Sequence, residues 1–255
     1  MAANLVEIFS SVQGEGAHVG RSTLFVRFGE CDLRCRWCDS PHTWKPARRC
    51  RFEVERGSGH FEERENPVAL GDVRAAAERL EVASHAFVSL TGGEPLLQPG
   101  AVQEIAAALR ALGPRIHLET HGLAHEALAQ VIGDIDLVCM DWKLPSDVKW
   151  ADASRGAEDF EALHREFLRV AVGAPEVAVK VVVTPASTDA EIDAVAACVA
   201  EISPDVPLIL QPVTPTRQVP ERPGAERLLA LTTRLERRVR DVRVIPQTHP
   251  IYGAL

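Results

Sequence analysis

Apolar and polar positions alternate along this chain in two distinct patterns that follow one another in turn. From residue 70 onward, short apolar runs rich in valine, isoleucine and leucine are separated by longer segments with apolar residues at every third or fourth position. The first pattern is typical of buried strands, and the second is typical of helices that pack on a sheet. This succession predicts a parallel sheet that is covered by helices on one or both faces.

The same patterns predict the bounds of the individual elements. The predicted strands cover residues 24–28, 86–90, 115–119, 135–140, 177–183, 207–210 and 241–245. The predicted helices cover residues 72–80, 99–112, 124–132, 157–170, 189–202 and 225–238. Residues before the first strand are interpreted as a short N-terminal segment. No repeat or linker divides the series, so we expect a single α/β domain over residues 1–255.

Residues 44–66 interrupt this regular pattern. They are crowded with arginine and glutamate and contain the flexible sequence Gly57-Ser58-Gly59. Charge and glycine of this kind are typical of exposed loops. We therefore interpret the stretch as an exposed insertion, and we favour a solvated loop over a short hairpin.

Composition and charge restrict the class of protein. With 255 residues and 46% hydrophobic content, the chain can bury a substantial core. The formal net charge of −8 argues against general binding to nucleic acid or to membrane surfaces. The first residues carry neither the basic start nor the apolar run of a secretory signal, and no transmembrane segment is visible.

Cysteine usage indicates a reducing compartment. Three of the six cysteines are crowded together, which suits a metal site in the cytoplasm better than a disulfide framework. Cys50 lies apart from them, and Cys139 and Cys198 lie in apolar runs, where we expect small buried thiols.

The crowded cysteines are Cys31, Cys35 and Cys38, separated by three and then two residues. Three thiolates so close together can bind three irons of a cubane iron–sulfur cluster and leave the fourth iron open to a small molecule. Spacing alone leaves two alternatives open. One is a structural zinc site with His42 as the fourth ligand, and the other is a disulfide with one spare thiol.

The unusual polar motifs all follow predicted strands. In order they are the cysteine run, Thr91-Gly92-Gly93-Glu94-Pro95, Thr120-His121-Gly122, Asp141-Trp142-Lys143, Thr184-Pro185, Gln211-Pro212-Val213 and Pro246-Gln247-Thr248-His249. Because the carboxyl ends of parallel strands meet at one edge, where ligands bind, we expect these motifs to form one site.

The cysteine spacing, with an aromatic residue before the last cysteine, resembles the radical S-adenosylmethionine (SAM) superfamily. Other motifs extend the likeness over nearly the whole chain, to the 7-carboxy-7-deazaguanine synthase family. They lie at residues 7–16, 24–28, 38–40, 91–95, 118–122, 211–213 and 245–249. The resemblance implies an incomplete β/α barrel of parallel strands. It also implies a lyase that contracts 6-carboxy-5,6,7,8-tetrahydropterin to 7-carboxy-7-deazaguanine with loss of ammonia, in queuosine and other deazapurine biosynthesis.

The resemblance also implies the cofactors and where they bind. They are a 4Fe–4S cluster on the three crowded cysteines, SAM at the open iron, and Mg²⁺. The backbone of Gly93 would approach SAM closely, and the Glu94 carboxylate would pair with its ammonium group. The other expected SAM contacts are Trp37, Cys38, Asp39, Glu119, Thr120, Asp141, Lys143 and Gln211. Without the resemblance, such residues could equally be turns or helix caps.

The implied substrate needs two kinds of partner. Backbone groups and a side-chain amide can recognise the pterin edge, and Val12, Gln13 and Gly14 supply both, with Glu15 as a further candidate. The substrate carboxylate needs a fixed cation, for which Arg27 offers a planar fork. A structural ion pair is the alternative role for that arginine. Two further residues, Thr91 and His249, are expected in the same cavity.

Ser40 is the expected Mg²⁺ ligand, since the family places a hydroxyl residue directly after the Cys-Asp pair. One protein oxygen can suffice for an ion that keeps several waters. Threonine is the residue associated with this place; serine keeps the oxygen but loses the methyl group that fixes the rotamer. The alternative is a loop residue with a local hydrogen bond.

Two other functions compete with the synthase. A glycyl-radical activase shares the cysteine spacing but acts on a protein partner, and a regulatory module could bind a cluster or zinc without any reaction. The motifs at residues 13–16 and 246–249 favour the synthase. The expected partners are the pterin, a low-potential electron donor such as a flavodoxin, and a second copy of the chain, with neither nucleic acid nor membrane.

Overall fold

The computed structural model describes residues 2–155 and 160–253, and strands and α-helices mostly alternate in it from residue 70 onward. The strands are β1 (Ala2–Ala3), β2 (Leu5–Val12), β3 (Ser22–Phe28), β4 (Leu33–Cys35), β5 (Arg49–Glu53), β6 (Phe61–Glu65), β7 (Val68–Ala69), β8 (Phe87–Gly92), β9 (Arg115–Thr120), β10 (Leu137–Trp142), β11 (Val148–Trp150), β12 (Glu176–Val183), β13 (Leu208–Pro212) and β14 (Val242–Val244). The α-helices are α1 (Leu70–Arg79), α2 (Pro99–Arg110), α3 (His125–Val131), α4 (Phe160–Ala171), α5 (Asp189–Ile202), α6 (Ala225–Leu235) and α7 (His249–Tyr252). The predicted start of the fourth helix, residues 157–159, lies outside the described residues.

Ten of these strands form one sheet in the order β14-β13-β12-β10-β9-β8-β3-β2-β5-β6. The strands from β14 to β3 are parallel to their neighbours, as predicted. Strands β2 and β6, which the sequence patterns did not predict, run antiparallel to β3 and β5. Because β14 and β6 are edges, the sheet does not close, and the predicted incomplete barrel is confirmed.

The core forms where the apolar faces of the helices pack on this sheet. Val88, Leu118 and Val181 from the strands belong to the same buried cluster as Leu109 of α2 and Phe167 of α4. Burial of this apolar surface, at about 25 cal/mol per Å², is the main favourable term in folding. Within the described residues, none of the helices has both the length and the apolar character required to cross a bilayer.

The N-terminal segment is a full strand, which the sequence patterns did not predict. Leu5, Ile8 and Phe9 of β2 are completely buried. Glu7 and Ser10 lie between them and are buried as well, at 8% and 7% exposure. These two polar residues break the apolar run that would have indicated a buried strand.

The charged stretch at residues 44–66 contains a hairpin, so the favoured solvated loop is wrong. Strand β5 pairs in parallel with β2, and β6 pairs antiparallel with β5. Cys50 and Phe52 of β5 are completely buried. Arg49, Glu63 and Glu65 lie on the other face of the hairpin, where Arg49 pairs with both glutamates. The hairpin therefore extends the sheet at its edge.

The cysteine run has its own supporting structure, a two-stranded ribbon of β4 and β11. Cys35 lies opposite Val148, and Leu33 lies opposite Trp150. The inner face of the ribbon belongs to a small apolar cluster, against which Trp37 also packs. The ribbon therefore attaches the cysteine loop to residues more than a hundred positions away in the chain, because β11 follows β10.

Candidate active site

A cavity of about 410 Å³ lies at the ends of the strands. It is lined by all but one of the predicted site residues: Val12, Gln13, Gly14, Glu15, Arg27, Cys31, Cys35, Trp37, Cys38, Asp39, Ser40, Thr91, Gly93, Glu119, Thr120, Asp141, Lys143, Gln211 and His249. Since these residues come from the ends of several strands and from both termini, the fold assembles the site that the strand-end motifs predicted.

The three crowded thiols line this cavity and are free. Burial raises the pKa of Cys31 to about 12 and that of Cys35 to about 11, and it also raises the pKa of Cys38. Such thiols ionise when a metal binds them. In the described part of the chain, no three His, Cys, Asp or Glu side chains are arranged to bind one metal ion together. A cubane cluster binds each thiolate through a different iron, so three separate thiols on one cavity fit it.

Gly92 and Gly93 bring the backbone of the next motif close to the cysteine loop. Gly92 has φ of 126°, a region that favours glycine. A Cβ on Gly93 would lie 2.0 Å from the carbonyl oxygen of Glu30. The Gly93 amide donates to Phe28. No other residue type fits at Gly93. Its backbone lies on the cavity wall, where the expected SAM contact requires it.

Glu94 is the predicted site residue that does not line the cavity. Its carboxylate is completely buried and accepts hydrogen bonds from Leu96 N (3.0 Å), Thr120 Oγ1 (2.8 Å) and His121 N (2.8 Å). Because Glu94 has no exposed surface, an ammonium group could reach this carboxylate only after the surrounding residues rearrange. In this structure Glu94 therefore braces the loops after β8 and β9, and the expected ammonium pairing does not fit its position.

His121 joins this brace to the cysteine loop. It lay within a motif noted in the sequence but received no role there. Its Nε2 lies 2.9 Å from Oδ1 of Asp32, the residue directly after Cys31. Its Nδ1 accepts from Leu123 N at 3.2 Å. Burial would lower the His121 pKa, but the charges of Glu94 and Asp32 outweigh burial and raise it. Asp32, and through the chain its neighbour Cys31, is therefore held in place by a buried histidine.

Two lysines lie in the cavity among carboxylates. Lys143 Nζ is 2.7 Å from Asp141 Oδ2 and stacks over the Trp37 ring, 4.5 Å from its centre. Lys180 Nζ contacts the same Asp141 oxygen at 3.3 Å and also pairs with Glu15. Burial opposes the charge on both lysines, but the neighbouring carboxylates raise both pKa values. Both lysines are therefore ammonium groups inside the cavity.

Two buried acceptors in the cavity have no hydrogen-bond donor among the residues that the structure describes. They are Oδ1 of Asp141 and Oε1 of Gln211. A buried acceptor without a partner is costly, so such atoms mark places where a ligand can donate. Both residues were predicted to contact SAM, whose polar groups could supply these donors.

Gln13 is buried at 3% exposure and already has protein partners. Its Nε2 donates to Glu119 Oε1 (2.9 Å), and its Oε1 accepts from Glu15 N (3.1 Å). The Glu119 oxygen also accepts from Ser89 Oγ at 2.5 Å. The Gln13 amide oxygen keeps a second acceptor site, and Glu15 also keeps acceptor capacity, so either could accept a hydrogen bond from a pterin.

Arg27 both lines the cavity and makes the ion pair that was the alternative interpretation. Its Nε donates to Glu7 Oε1 at 2.8 Å, and Arg51 contacts the other Glu7 oxygen at 3.3 Å. This pair uses one of the five N–H groups of the guanidinium. The arginine is therefore oriented by Glu7 and keeps donors for an anion in the cavity.

Ser40 and His249 line the cavity from opposite ends of the chain. The Ser40 hydroxyl donates to Asp39 Oδ1 at 2.6 Å, which is the local hydrogen bond of the alternative interpretation. His249 packs so closely on Gly14 that a Cβ there would lie 2.7 Å from the His249 Nδ1. Thr91 lies beside Arg27, its partner in the β3–β8 register.

The sequence missed Lys180 and Gln247 as site residues. Lys180 interrupts the β-branched run of β12, and a lysine in a buried strand is rare enough to have been a signal. Gln247 lay within a quoted motif but received no role. Its Nε2 donates to Glu15 Oε1 (2.5 Å) and Asp39 Oδ2 (3.0 Å).

Comparisons with known proteins agree with this geometry. Residues 26–198 match the family model of the radical SAM superfamily. The chain is 38% identical to the 7-carboxy-7-deazaguanine synthase of Geobacter sulfurreducens, over 99% of this chain and 98% of that protein. It is 36% identical to the synthase of Methanopyrus kandleri, over 97% and 92% of the two chains.

The fold is also similar to a solved structure. QueE from Escherichia coli matches with a TM-score of 0.65 and 22% identity, over 98% of this chain and 95% of that one. The full-length sequence matches, together with three thiols on a strand-end cavity, identify the family. The chain belongs to the radical SAM superfamily and, within it, to the 7-carboxy-7-deazaguanine synthases.

Proposed function

We infer that this protein is a radical SAM lyase that contracts 6-carboxy-5,6,7,8-tetrahydropterin to 7-carboxy-7-deazaguanine with loss of ammonia. The reaction belongs to the biosynthesis of queuosine and other deazapurines. One observation carries the inference beyond family membership: the three thiols, the Gly92-Gly93 turn and the Arg27 guanidinium all face one cavity. An anionic substrate and a cluster-bound cofactor can therefore meet there.

The cofactors are a 4Fe–4S cluster, SAM and Mg²⁺. When bound, the cluster and SAM together supply the radical, and the protein supplies position and the exclusion of water. Cys31, Cys35 and Cys38 would bind the cluster. Gly93 would contact SAM through its backbone, and Asp141 would contact it through its unpartnered oxygen.

The remaining SAM contacts are proposed from their positions on the cavity wall. They are Trp37, Cys38, Asp39, Glu119, Thr120, Lys143 and Gln211. Lys143 would keep Trp37 against the wall by its cation–π contact. A side chain placed in this way shields the cluster end of the cavity from solvent.

The substrate contacts are proposed from charge and geometry. Arg27, oriented by Glu7, would bind the substrate carboxylate with its remaining donors. Glu15 would accept hydrogen bonds from the amino and amide groups of the pterin edge. The other proposed contacts are Val12, Gln13, Gly14, Thr91 and His249, with Ser40 as the Mg²⁺ ligand.

The partners follow from the chemistry. The enzyme requires a reductant, and we propose a low-potential protein donor such as a flavodoxin. Free cysteines at all six positions suit a cytoplasmic location. A homodimer and the lack of any nucleic-acid partner remain predictions, which light scattering and DNA- or RNA-binding assays can test.

The deciding experiment is anaerobic reconstitution of the protein with iron and sulfide. The protein is then incubated with SAM, reductant, Mg²⁺ and the pterin, and the products are analysed by mass. We expect 7-carboxy-7-deazaguanine and ammonia in equal amounts. Cleavage of SAM without consumption of the pterin would contradict the assignment and would favour the glycyl-radical activase.

A further inference from the structure

Polar contacts among cavity residues form a closed ring that begins and ends in the cysteine loop. On one side, Trp37 carries Lys143 on its face, and Lys143 pairs with Asp141 at 2.7 Å. Asp141 in turn contacts Lys180 at 3.3 Å, and Lys180 pairs with Glu15. These contacts lead from the cysteine loop, across β10 and β12, to the loop after β2 that contains Glu15.

The other side of the ring is a single side chain. Gln247 lies in the C-terminal strap, which we define as residues 245–249. Its Nε2 donates to Glu15 Oε1 at 2.5 Å and to Asp39 Oδ2 at 3.0 Å. Asp39 is two residues from Trp37, so the ring closes. We call the seven residues the polar ring: Trp37, Lys143, Asp141, Lys180, Glu15, Gln247 and Asp39.

Both hydrogens of the Gln247 amide nitrogen are used in this bridge. An amide NH₂ has two donors, and each goes to a carboxylate on a different segment of the chain. The strap also contacts the loop that contains Glu15 at a second point, because Thr248 N donates to the Gly14 carbonyl at 2.9 Å. Gln247 therefore connects three segments that are far apart in sequence.

Glu15 is the member of the ring that both sides share. Burial would raise its pKa, but the Lys180 ammonium and the Gln247 hydrogen bond outweigh burial and lower the pKa to about 2. A carboxylate has about four acceptor sites, and Lys180, Gln247 and Gln211 together leave capacity for a donor of a ligand. Glu15 is thus a fixed anion with spare acceptor capacity inside the cavity.

We propose that Lys180 and Gln247 are positioning residues that fix Glu15 relative to the cysteine loop, so that SAM and the pterin bind cooperatively. The inference rests on the proposed function, in which SAM lies against Asp39 and Asp141 and the pterin edge lies against Glu15. Bound SAM then fixes the Asp39 and Asp141 carboxylates. Gln247, which contacts Asp39, and Lys180, which contacts Asp141, in turn fix Glu15. By linkage, the pterin must increase SAM affinity by the same factor.

The test is an equilibrium titration of the reconstituted enzyme with the pterin, under anaerobic conditions and without reductant, so that no turnover occurs. The measured quantity is the ratio of pterin Kd without SAM to pterin Kd with SAM. We expect a ratio of about 5–150 in the unaltered enzyme, the usual range of coupling between sites. Gln247→Ala should bring the ratio close to one.

A second variant separates loss of the bridge from simple misfolding. Gln247→Glu has nearly the same size but replaces both donors with a third carboxylate beside Glu15 and Asp39. We expect its ratio to be as low as that of Gln247→Ala, and to rise as the pH is lowered, because a protonated carboxyl group regains one donor. Lys180→Met should also lower the ratio. Gln103→Ala, an exposed glutamine in α2, is the control and should leave it unchanged.

Iron content, melting temperature and hydrogen exchange complete the design. The inference is overturned if Gln247→Ala is folded and iron-loaded and still has the same Kd ratio as the unaltered enzyme. It is also overturned if SAM does not change the pterin Kd of the unaltered enzyme. It also predicts faster exchange of the Thr248 amide in Gln247→Ala, and unchanged exchange would count against it. Failure of the proposed function gives a different result: the unaltered enzyme would form no deazapurine product when reductant is present.

Discussion

The Nε atom of Arg27 lies 2.8 Å from Oε1 of Glu7, across the antiparallel pair of β2 and β3. Both side chains are largely buried, with 19% and 11% of their surface exposed. A guanidinium fixed through Nε presents its two terminal nitrogens as a fork. The ion pair is therefore the means by which the strand pair aims a cation into the cavity.

Arg27→Ala should weaken pterin binding while leaving SAM binding intact. Loss of a buried charge-assisted pair costs on the order of 2–5 kcal/mol, much of it from the carboxylate that is left unpaired. Arg27→Lys should recover only part of the affinity, because a point charge cannot bind a carboxylate through two parallel donors. Titration with each ligand measures both effects. Equal pterin affinity in Arg27→Ala and the unaltered enzyme would assign the carboxylate to another residue.

Glu7→Gln tests the orienting role separately. The amide can still accept from Nε, but the charge is lost, and hydrogen bonds to charged groups contribute about 1.5–3 kcal/mol. We expect a lower melting temperature and a smaller loss of pterin affinity than in Arg27→Ala. An exposed pair such as Arg74–Glu78 is the control, since Glu78→Gln should change neither quantity.

Gly93→Ala should destabilise the protein and prevent SAM binding. The added Cβ would lie 2.0 Å from a backbone oxygen of Glu30, which no side-chain movement can relieve. Overpacking of this kind costs about 1–3 kcal/mol or more. Gly71 in α1 has open space around its Cα, so Gly71→Ala is the control and should stabilise the helix by about 0.5–1 kcal/mol. Urea denaturation measures the free energy of unfolding of Gly93→Ala and Gly71→Ala. Equal stability of the two variants would contradict the close packing at Gly93.

Residues such as Thr91, Asp141 and Gln211 could be predicted from the sequence because each directly follows an apolar strand pattern. Parallel strands bring such residues together whatever the details of packing. The succession of β8, β9, β10, β12, β13 and β14 along the chain was predictable for the same reason. Local periodicity is sufficient for these features, since each is encoded within a short stretch of chain.

The partner of Lys180 and the ribbon of β4 and β11 depend on distant contacts and could not be predicted in this way. Lys180 and Glu15 are 165 positions apart, and neither residue carries a local sign of the other. Strands of three residues are too short to show a period. The buried Glu7 had the opposite problem, because its local polarity argued against the strand that its ion pair with Arg27 permits.

Burial of the His164 ring should make the folded protein less stable in acid. The ring is completely buried; its Nδ1 donates to Phe160 O at 2.6 Å, and its Nε2 accepts from Lys143 N at 3.0 Å. Burial lowers its pKa from 6.5 to about 3, so the folded state keeps it neutral. As the pH falls from 6.5 toward 3, the unfolded chain binds a proton that the folded chain does not, and stability falls.

The expected slope from this one group is about 1.4 kcal/mol per pH unit within that window. Urea denaturation of the cluster-free protein at several pH values measures the slope. His164→Gln should be less stable at neutral pH but should lose about that much of the pH dependence. The exposed His60→Gln is the control and should keep it. An unchanged slope in His164→Gln would show that His164 does not control the acid response.

Ser40 gives the last prediction, which concerns Mg²⁺. Its hydroxyl now donates to Asp39 Oδ1 at 2.6 Å, and a metal ion would require the oxygen to turn toward the cavity that it lines. Since the chain offers one such hydroxyl at this place, the ion should bind weakly alone and tightly with the pterin, whose oxygens complete the shell. Turnover should therefore rise when Mg²⁺ is added. Ser40→Ala should lose that response and still cleave SAM slowly, whereas Ser40→Thr should keep it. Ser58→Ala, in the β5–β6 hairpin, is the control and should behave as the unaltered enzyme. If the unaltered enzyme turns over equally fast with Mg²⁺ and with a chelator, the metal is not part of the mechanism. Ser40 would then have only its local hydrogen bond to Asp39.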